Sequence, residues 1–453
     1  MKFNKKWLIL PLALLVACSS DETTPVTPGG EGGSGDTPSN PGDNPGGGDA
    51  PGGTGVSLPS TANVNIPNEQ YPIWKKRWTV TMKQETEGGS TMNLSLFEDY
   101  PNAARVRWDS GDDKCFVTGL TQIDGELFTA AKNSMTGCTV SEGIGYGMLI
   151  SVFNDDQALF NGLWDYNKAA RKGTGGNLMP WKLVSFSKKL DYSSALDADL
   201  DVATSLVLAH YKWGDAAYLE DAKLIISELY TKGINPTSKL LYPGPNWSQK
   251  DVYNISYFSP VAFRLFAKVD EAHPWNEVLN AHYEYMQKVQ NAGVTKAVFP
   301  DWSSGEGAPK DPGNNSITKT TYMLFFQESV RIPWRIAWDY YWFNDDRAKS
   351  ILKNLSDFIA AKSNNDPAQI PQMAYNYSTG ELSGSKTTGE HYLGAFCLSG
   401  LGVNSTWADA CTAYFNQFPM STTAGYGGMY FTQILQMMYS SLLNGKFVKP
   451  AQI

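Results

Sequence analysis

The chain has 453 residues, with 37 Lys and Arg against 45 Asp and Glu and a net charge of −8. An acidic balance without a Lys/Arg cluster argues against a nucleic-acid partner. The four histidines (His210, His273, His282 and His391) lack ligand spacing and no Cys-x-x-Cys occurs, so zinc, Cys/His catalysis and any other metal or cofactor are not expected.

In chain order, Lys2, Lys5 and Lys6 precede an apolar stretch from Trp7 to Ala17 that is too short for a stable bilayer span. Residues 1–17 therefore read as an export signal. The ending Leu15-Val16-Ala17-Cys18 is similar to a bacterial lipobox, which implies a lipid on Cys18 as the only membrane attachment. Ser19-Ser20-Asp21-Glu22 resembles the surface-export signal of Bacteroides-group lipoproteins, so the expected location is the outer membrane, exposed at the cell surface. Residues 18–59 are rich in Gly, Pro, Ser, Thr and Asp and cannot bury enough surface to fold. They read as a tether with an end-to-end distance of roughly 30–35 Å. Residues 60–453 hold no second linker and are expected to form one domain, a monomer.

Helical periodicity recurs through that domain, near 145–155, 157–170, 199–213, 215–233, 257–268, 275–291, 328–343, 351–359, 389–400, 405–416 and 429–443. Alternation of period two is scarce outside 78–108. About eleven helices joined by Gly/Pro/Asn-rich loops suggest stacked helical hairpins, and a closed ring of them would gather its aromatic-rich loops at one end. No short repeat points to an open solenoid. Export permits disulfides, with Cys115–Cys138 and Cys397–Cys411 the first pairings to try. Cys115 and Cys138 bracket an excursion expected to wall one end of a cleft.

Three acidic clusters stand out. In Val140-Ser141-Glu142-Gly143-Ile144-Gly145-Tyr146-Gly147-Met148, Glu142 opens an apolar helix with no cation in the next ten residues, so it is a candidate working acid. The alternating glycines permit close backbone approach and conformations closed to other residues. Asp197, Asp199 and Asp201 alternate ahead of Leu206. An EF-hand is excluded, because Val202 replaces the loop glycine and Leu208 the terminal glutamate. Asp199 and Asp201 read as first-turn acids favoured by the helix dipole, leaving Asp197, just outside the helix, to face a ligand. Glu328 and Arg331 are three apart on one helical face among Phe325, Phe326, Ile332, Trp334 and Trp338. A charge pair in such apolar surroundings is costly unless the site is polar for a reason. Between these acids, Trp181 follows Pro180 and Trp247 follows Gly244-Pro245-Asn246, loop positions where flat aromatic faces suit sugar rings better than core packing, and Tyr257 and Phe258 precede Ser259-Pro260.

On these motifs, with Gly162-Leu163-Trp164, Ser256-Tyr257-Phe258-Ser259-Pro260, Pro300-Asp301-Trp302 and Arg331-Ile332-Pro333-Trp334-Arg335, the stretch Ala104 to Phe447 resembles glycoside hydrolase family 8. The resemblance implies an all-α (α/α)6 barrel and an inverting, endo-acting β-1,4-glycanase whose partner is a glucan or xylan. It implies Glu142 as general acid, Asp197 holding the sugar at the cleavage point, and Trp181, Trp247, Tyr257, Arg331 and, more loosely, Tyr430 as substrate contacts. Glu328 falls where many members place the aspartate that activates water. Here Asp-Ala-x-Arg has become Glu-Ser-Val-Arg, the preceding tyrosine is Gln327, and Leu196 departs from the usual Ser or Thr. If the longer Glu328 is not the base, Asp197 is the next candidate. A non-catalytic glycan-binding lipoprotein on this scaffold and a chitosanase stay open as alternatives.

Overall fold

The structure is a computed structural model that describes residues 55–87, 96–108, 138–245, 247, 251–313, 318–370, 374–383, 389–422 and 430–453, with short strands at 114–115, 121–123, 126–128 and 135–136. Fourteen helices are described: α1 (Asn65–Trp78), α2 (Met82–Glu87), α3 (Ser141–Phe153), α4 (Gln157–Arg171), α5 (Leu196–Trp213), α6 (Ala216–Gly233), α7 (Pro260–Val269), α8 (Trp275–Ala292), α9 (Thr318–Thr321), α10 (Ile332–Phe343), α11 (Asp346–Lys362), α12 (Glu390–Ser399), α13 (Ser405–Phe415) and α14 (Tyr430–Leu443). Twelve of them, all except the short α2 and α9, build the scaffold.

Burial divides the twelve into two rings. Helices α3, α5, α10, α12 and α14 are buried on nearly every side, as a helix surrounded by protein must be. Helices α4, α6, α8 and α11 carry one apolar face and one polar face. Packing follows the same division. The inner helices touch in the order α3, α5, α7, α10, α12, α14 and back to α3, which closes the ring. Each pairs with an outer helix: α3 with α4, α5 with α6, α7 with α8, α10 with α11, α12 with α13, and α14 with α1. This is the (α/α)6 barrel.

Eleven of the twelve barrel helices answer to the periodic segments. The twelfth, α1, carries Pro67, Pro72 and the basic run Lys75-Lys76-Arg77, which obscure its pattern. Pro67, Gln70, Trp74 and Trp78 form its buried face, of which only the two tryptophans are large and apolar, and α1 completes the outer ring from the opposite end of the sequence. The described chain also docks earlier than residue 60. Val56 and Leu58 pack on the core because they are the apolar residues at the end of an otherwise polar segment. Ser60 then anchors on Asp409, with its backbone N–H 2.7 Å and its hydroxyl 2.6 Å from the carboxylate. Cys18 and residues 18–54 lie outside the described residues.

The alternating glycines of α3 serve approach alone. Gly143, Gly145 and Gly147 are helical and none has a positive φ, so the expected conformational freedom is not used. A Cβ on Gly145 would stand 2.9 Å from the Asp201 Cβ and 3.0 Å from the Ala198 carbonyl of α5. One on Gly147 would meet Val106 and Leu163, and one on Gly143 the Tyr430 hydroxyl. Gly145 thus lets α3 and α5 lie close together beneath Glu142 and Asp197, while Gly143 and Gly147 admit α14, α4 and Val106.

A three-stranded antiparallel ladder of Cys138–Val140, Lys182–Val184 and Lys188–Asp191 leads into α3. It pairs Val140 with Lys182, and the Ser141 N–H donates to the Trp181 carbonyl at 2.8 Å, setting Trp181 beside the start of α3. Cys397 and Cys411 are disulfide-bonded, joining α12 to α13. Cys138 is disulfide-bonded too, but its expected pairing with Cys115 and most of the excursion lie outside the described residues.

Gly145→Ala should destabilise the barrel by about 1–3 kcal/mol, the usual cost of overpacking a filled core. Chemical denaturation would show this as a lower midpoint with an unchanged slope. An unaltered midpoint would mean that the contact between α3 and α5 relaxes freely.

Candidate active site

The N-termini of five inner helices, α3, α5, α7, α10 and α14, converge on one guanidinium. Arg331 precedes α10 and is only 4% exposed. Its Nη1 donates to Glu142 Oε2 at 2.5 Å and to Asp197 Oδ2 at 3.2 Å, and its Nη2 donates to Glu328 Oε2. Glu142 is the second residue of α3 and Asp197 the second of α5. Tyr430, the first residue of α14, donates its hydroxyl to Glu142 Oε1 at 2.9 Å. Tyr257, shortly before α7, lies with its ring 5.5 Å from the Arg331 guanidinium carbon. Carboxylates are favoured at helix N-termini, where unpaired N–H groups and the dipole present positive potential.

The structure therefore joins Glu142, Asp197, Glu328, Arg331, Tyr257 and Tyr430 in one cluster. Glu142, without a cation nearby in sequence, finds one 189 residues away. Two details differ from the sequence reading. Asp197 is inside the first turn of α5, since the helix begins at Leu196 rather than near 199. Glu328 precedes a short 3-10 turn, Ser329–Arg331, rather than opening a regular helix, because Pro333 delays the α-helix to Ile332. Its partnership with Arg331 survives this change of backbone.

The three alternating acids have separate fates. Asp197 Oδ1 is buried without a hydrogen-bond partner. Asp199 Oδ1 accepts the Met179 N–H at 2.7 Å. Asp201 is not a first-turn acid but a deeper one, paired with both terminal nitrogens of Arg335 at 2.5 and 2.8 Å. The buried Arg335–Asp201 pair lies beneath the Arg331 cluster and braces α10 against α5.

Each carboxyl also sits in a different environment. Side-chain exposure is 28% for Glu328, 17% for Glu142 and 3% for Asp197. Burial raises Glu142 above the usual carboxylate range, with the charges of Glu328 and Asp201 adding to the effect and Arg331 and Tyr430 opposing it. Burial likewise pushes Asp197 up to about 7 against the pull of Arg331. Glu328 Oε2 also accepts from Asn254 Nδ2 at 2.7 Å. Hydrogen bonds of about 3 Å on either side of one guanidinium keep the bonded oxygens of Glu142 and Glu328 within roughly 8 Å.

Trp247 and Trp302 stack with ring centres 5.6 Å apart and planes inclined by 5°. Trp302 is buried and Trp247 half-buried, so Trp302 backs a more exposed indole. Trp181 is also half-buried, its ring edge-on to Trp108 at 6.5 Å. The sequence reading gave Asn254 no role, since a lone asparagine before a 3-10 turn carries no distinguishing pattern. It also missed the Arg335–Asp201 brace, whose partners lie 134 residues apart.

The raised carboxyl of Asp197 has a consequence for stability. Between about pH 4 and pH 7 the folded protein holds a proton there that the unfolded chain has released, so stability falls as pH rises through that window. Asp197→Asn removes this dependence. Its melting temperature relative to the parent should rise from about pH 5 to about pH 8, whereas a constant difference would mean that Asp197 titrates normally.

The family model for glycosyl hydrolases family 8 matches residues 95–443. Endoglucanase 2 of Ruminiclostridium josui is 32% identical over 317 residues, covering 68% of this chain. The chain spans 64% of that relative's length. The beta-glucanase of Niallia circulans is 26% identical over 370 residues, covering 78% of this chain and 86% of the relative. The apo structure of a beta-1,3-1,4-glucanase from Paenibacillus sp. X4 superposes with a TM-score of 0.68 at 22% identity, over 87% of this chain and 96% of the other, a likeness of fold. The barrel and the matched family together place this chain in glycosyl hydrolase family 8.

Proposed function

We propose that the protein is an inverting, endo-acting glycoside hydrolase that cleaves β-1,4-linked glucan, with Glu142 as general acid and Glu328 as general base. The observation that carries this reading is the single guanidinium shared by the two carboxylates, with the unpartnered Asp197 Oδ1 between their helices. The upper limit of roughly 8 Å between them leaves room for the lower end of the window of about 6.5–9.5 Å in which a water fits beside the sugar of an inverting enzyme. Glucan is preferred to xylan because the relatives named above carry glucanase names.

In the reaction, Glu142 gives its proton to the glycosidic oxygen as the bond to the anomeric carbon breaks. Burial keeps that proton on Glu142 above the normal range for a carboxylic acid. Glu328, the most exposed of the three, takes a proton from the attacking water, and hydroxide adds to the opposite face of the anomeric carbon. The product is the α-anomer. Glu142 ends ionised and Glu328 protonated, so exchange with solvent resets the pair. Asp197 Oδ1 accepts a hydrogen bond from a sugar hydroxyl and holds the ring in its distorted form, while Trp181, Trp247 and Tyr257 supply faces for stacking. The Glu-for-Asp change at position 328 is accommodated by its place before the 3-10 turn, with Asn254 and Arg331 fixing the longer side chain.

Glu142→Gln and Glu328→Gln should each lower kcat on soluble β-glucan by about 10²–10⁴-fold, the usual size of a lost general acid or base. Proton NMR of early products should show the α-anomer first. Wild-type rates in Glu142→Gln would remove the acid assignment. A fully active Glu328→Gln beside a dead Asp197→Asn would move the base to Asp197, and β-anomer first would exclude inversion. Xylan and chitosan in the same panel decide the backbone sugar.

We further propose that a lipid on Cys18 tethers the barrel to the outer membrane at the cell surface, a reading supported by the Leu15-Val16-Ala17-Cys18 signal. Cys18→Ala should release the exported enzyme from the membrane fraction. Retention there would point to another anchor.

A further inference from the structure

We propose that Asp301 is a positioning residue for the proposed base: its carboxylate pins the backbone on both sides of Glu328 and so sets where the Glu328 carboxylate stands. The inference rests on the reading of Glu328 given above.

The geometry is specific. Asp301 Oδ1 accepts from the Phe326 N–H at 2.9 Å, the Ser329 N–H at 2.9 Å and the Ser329 hydroxyl at 2.7 Å. Phe326 lies two residues before Glu328 and Ser329 one residue after it. One oxygen thus holds the turn at both shoulders. Asp301 is 3% exposed and Ser329 fully buried, so water does not compete for these bonds. Among the described residues no cation pairs with Asp301. The turn's own donors compensate its charge, and burial with the nearby Glu328 raises its carboxyl to about 7.

The same segment reaches the other group that holds Glu328. The Asp301 N–H donates to the Leu324 carbonyl at 2.8 Å, which ties the segment to the strand leading into the Glu328 turn. Two residues on, Ser303 exchanges backbone hydrogen bonds with Tyr253 at 2.8 and 3.0 Å. Tyr253 directly precedes Asn254, the donor to Glu328 Oε2. Asp301 and its neighbours therefore fix the distance between the turn that carries Glu328 and the amide that aims it. A side chain one methylene longer than aspartate needs such an anchor more, because its extra torsion widens the positions its carboxylate can visit.

A carboxylate suits this position because it accepts without bringing a donor that needs a partner of its own. An asparagine keeps one accepting oxygen in the same place, whereas an alanine removes the acceptor that all three donors share, leaving the Phe326 N–H its 2.8 Å contact with the Ser329 hydroxyl and the Ser329 hydroxyl a 3.5 Å contact with the Leu324 carbonyl. A displacement of about 1 Å in a catalytic group costs about 100-fold. Asp301→Ala should therefore lower kcat on β-glucan by about 100-fold while KM stays within about twofold. Asp301→Asn should restore kcat to within about tenfold of the parent.

The proposal is overturned if Asp301→Ala keeps kcat, if it raises KM at unchanged kcat, or if Asp301→Asn is as inactive as the alanine variant. That last result would put the Asp301 charge itself in the chemistry. If Asp301→Ala does not fold, Ser329→Ala decides, with a fall in kcat of about tenfold expected at unchanged KM and parental kcat overturning the proposal. Glu328→Gln in the same series separates the two readings. An active Glu328→Gln removes the base assignment and the positioning role with it. An inactive one beside a fully active Asp301→Ala removes the positioning role alone.

Discussion

Arg331 faces more negative charge than one guanidinium neutralises. Glu142, Asp197 and Glu328 all accept from its two terminal nitrogens, and the Tyr430 hydroxyl, the Asn254 amide and the positive ends of the inner helices add to the compensation. The consequence is chemical. With one cation for three acids, at least one acid is pressed toward its protonated form, and the most buried are pressed hardest. Burial at the barrel mouth then sets the three acids apart: Glu142 and Asp197 rise, while the more exposed Glu328 keeps contact with solvent, which suits the proposed acid and base. A general acid and a general base need this kind of asymmetry to coexist at one pH.

The barrel produces that cluster by geometry. Six inner helices packed in a closed ring bring together residues that are far apart in the chain, and α3, α5, α7, α10 and α14 each deliver a residue at or just before their N-terminus to the same mouth. Gly145 of α3 allows α5 to approach closely enough for Glu142 and Asp197 to share one guanidinium. Beneath them, Arg335 and Asp201 form a buried pair that keeps α10 and α5 at a fixed spacing. Removing one member would leave a buried charge uncompensated, which typically costs about 3–5 kcal/mol. The scaffold below the site is therefore polar where it must be rigid and apolar elsewhere.

Much of this was legible before any coordinates. Apolar periodicity reported the inner and outer helices because each buries a face, and it failed at α1, where two prolines and a basic run hide the two tryptophans that dock. Glu142, Asp197, Glu328 and Arg331 are legible through local motifs: a lone acid among glycines, one of three alternating acids, and an acid–arginine pair among aromatics. What joins them was not legible, because pairing across 134 or 189 residues leaves no local signal. The same holds for Asp301, visible in sequence only as part of Pro300-Asp301-Trp302, whose hold on Ser329 spans 28 residues. Helix starts moved by several residues where a strand or a 3-10 turn, rather than the apolar pattern, set the boundary. For Asp197 that shift mattered, since it moved the residue from a loop into a helix's first turn.

The account depends on a water molecule lying between Glu328 and the far face of the anomeric carbon. A crystal structure of Glu142→Gln with a bound cello-oligosaccharide across the mouth of the barrel tests this most directly. The expected result is a sugar distorted over Asp197, the altered residue 142 at the glycosidic oxygen, and a water held by Glu328 in line with the bond to be broken. A water held instead by another acid, or a sugar packed against Glu328 with no room for solvent, would contradict the account.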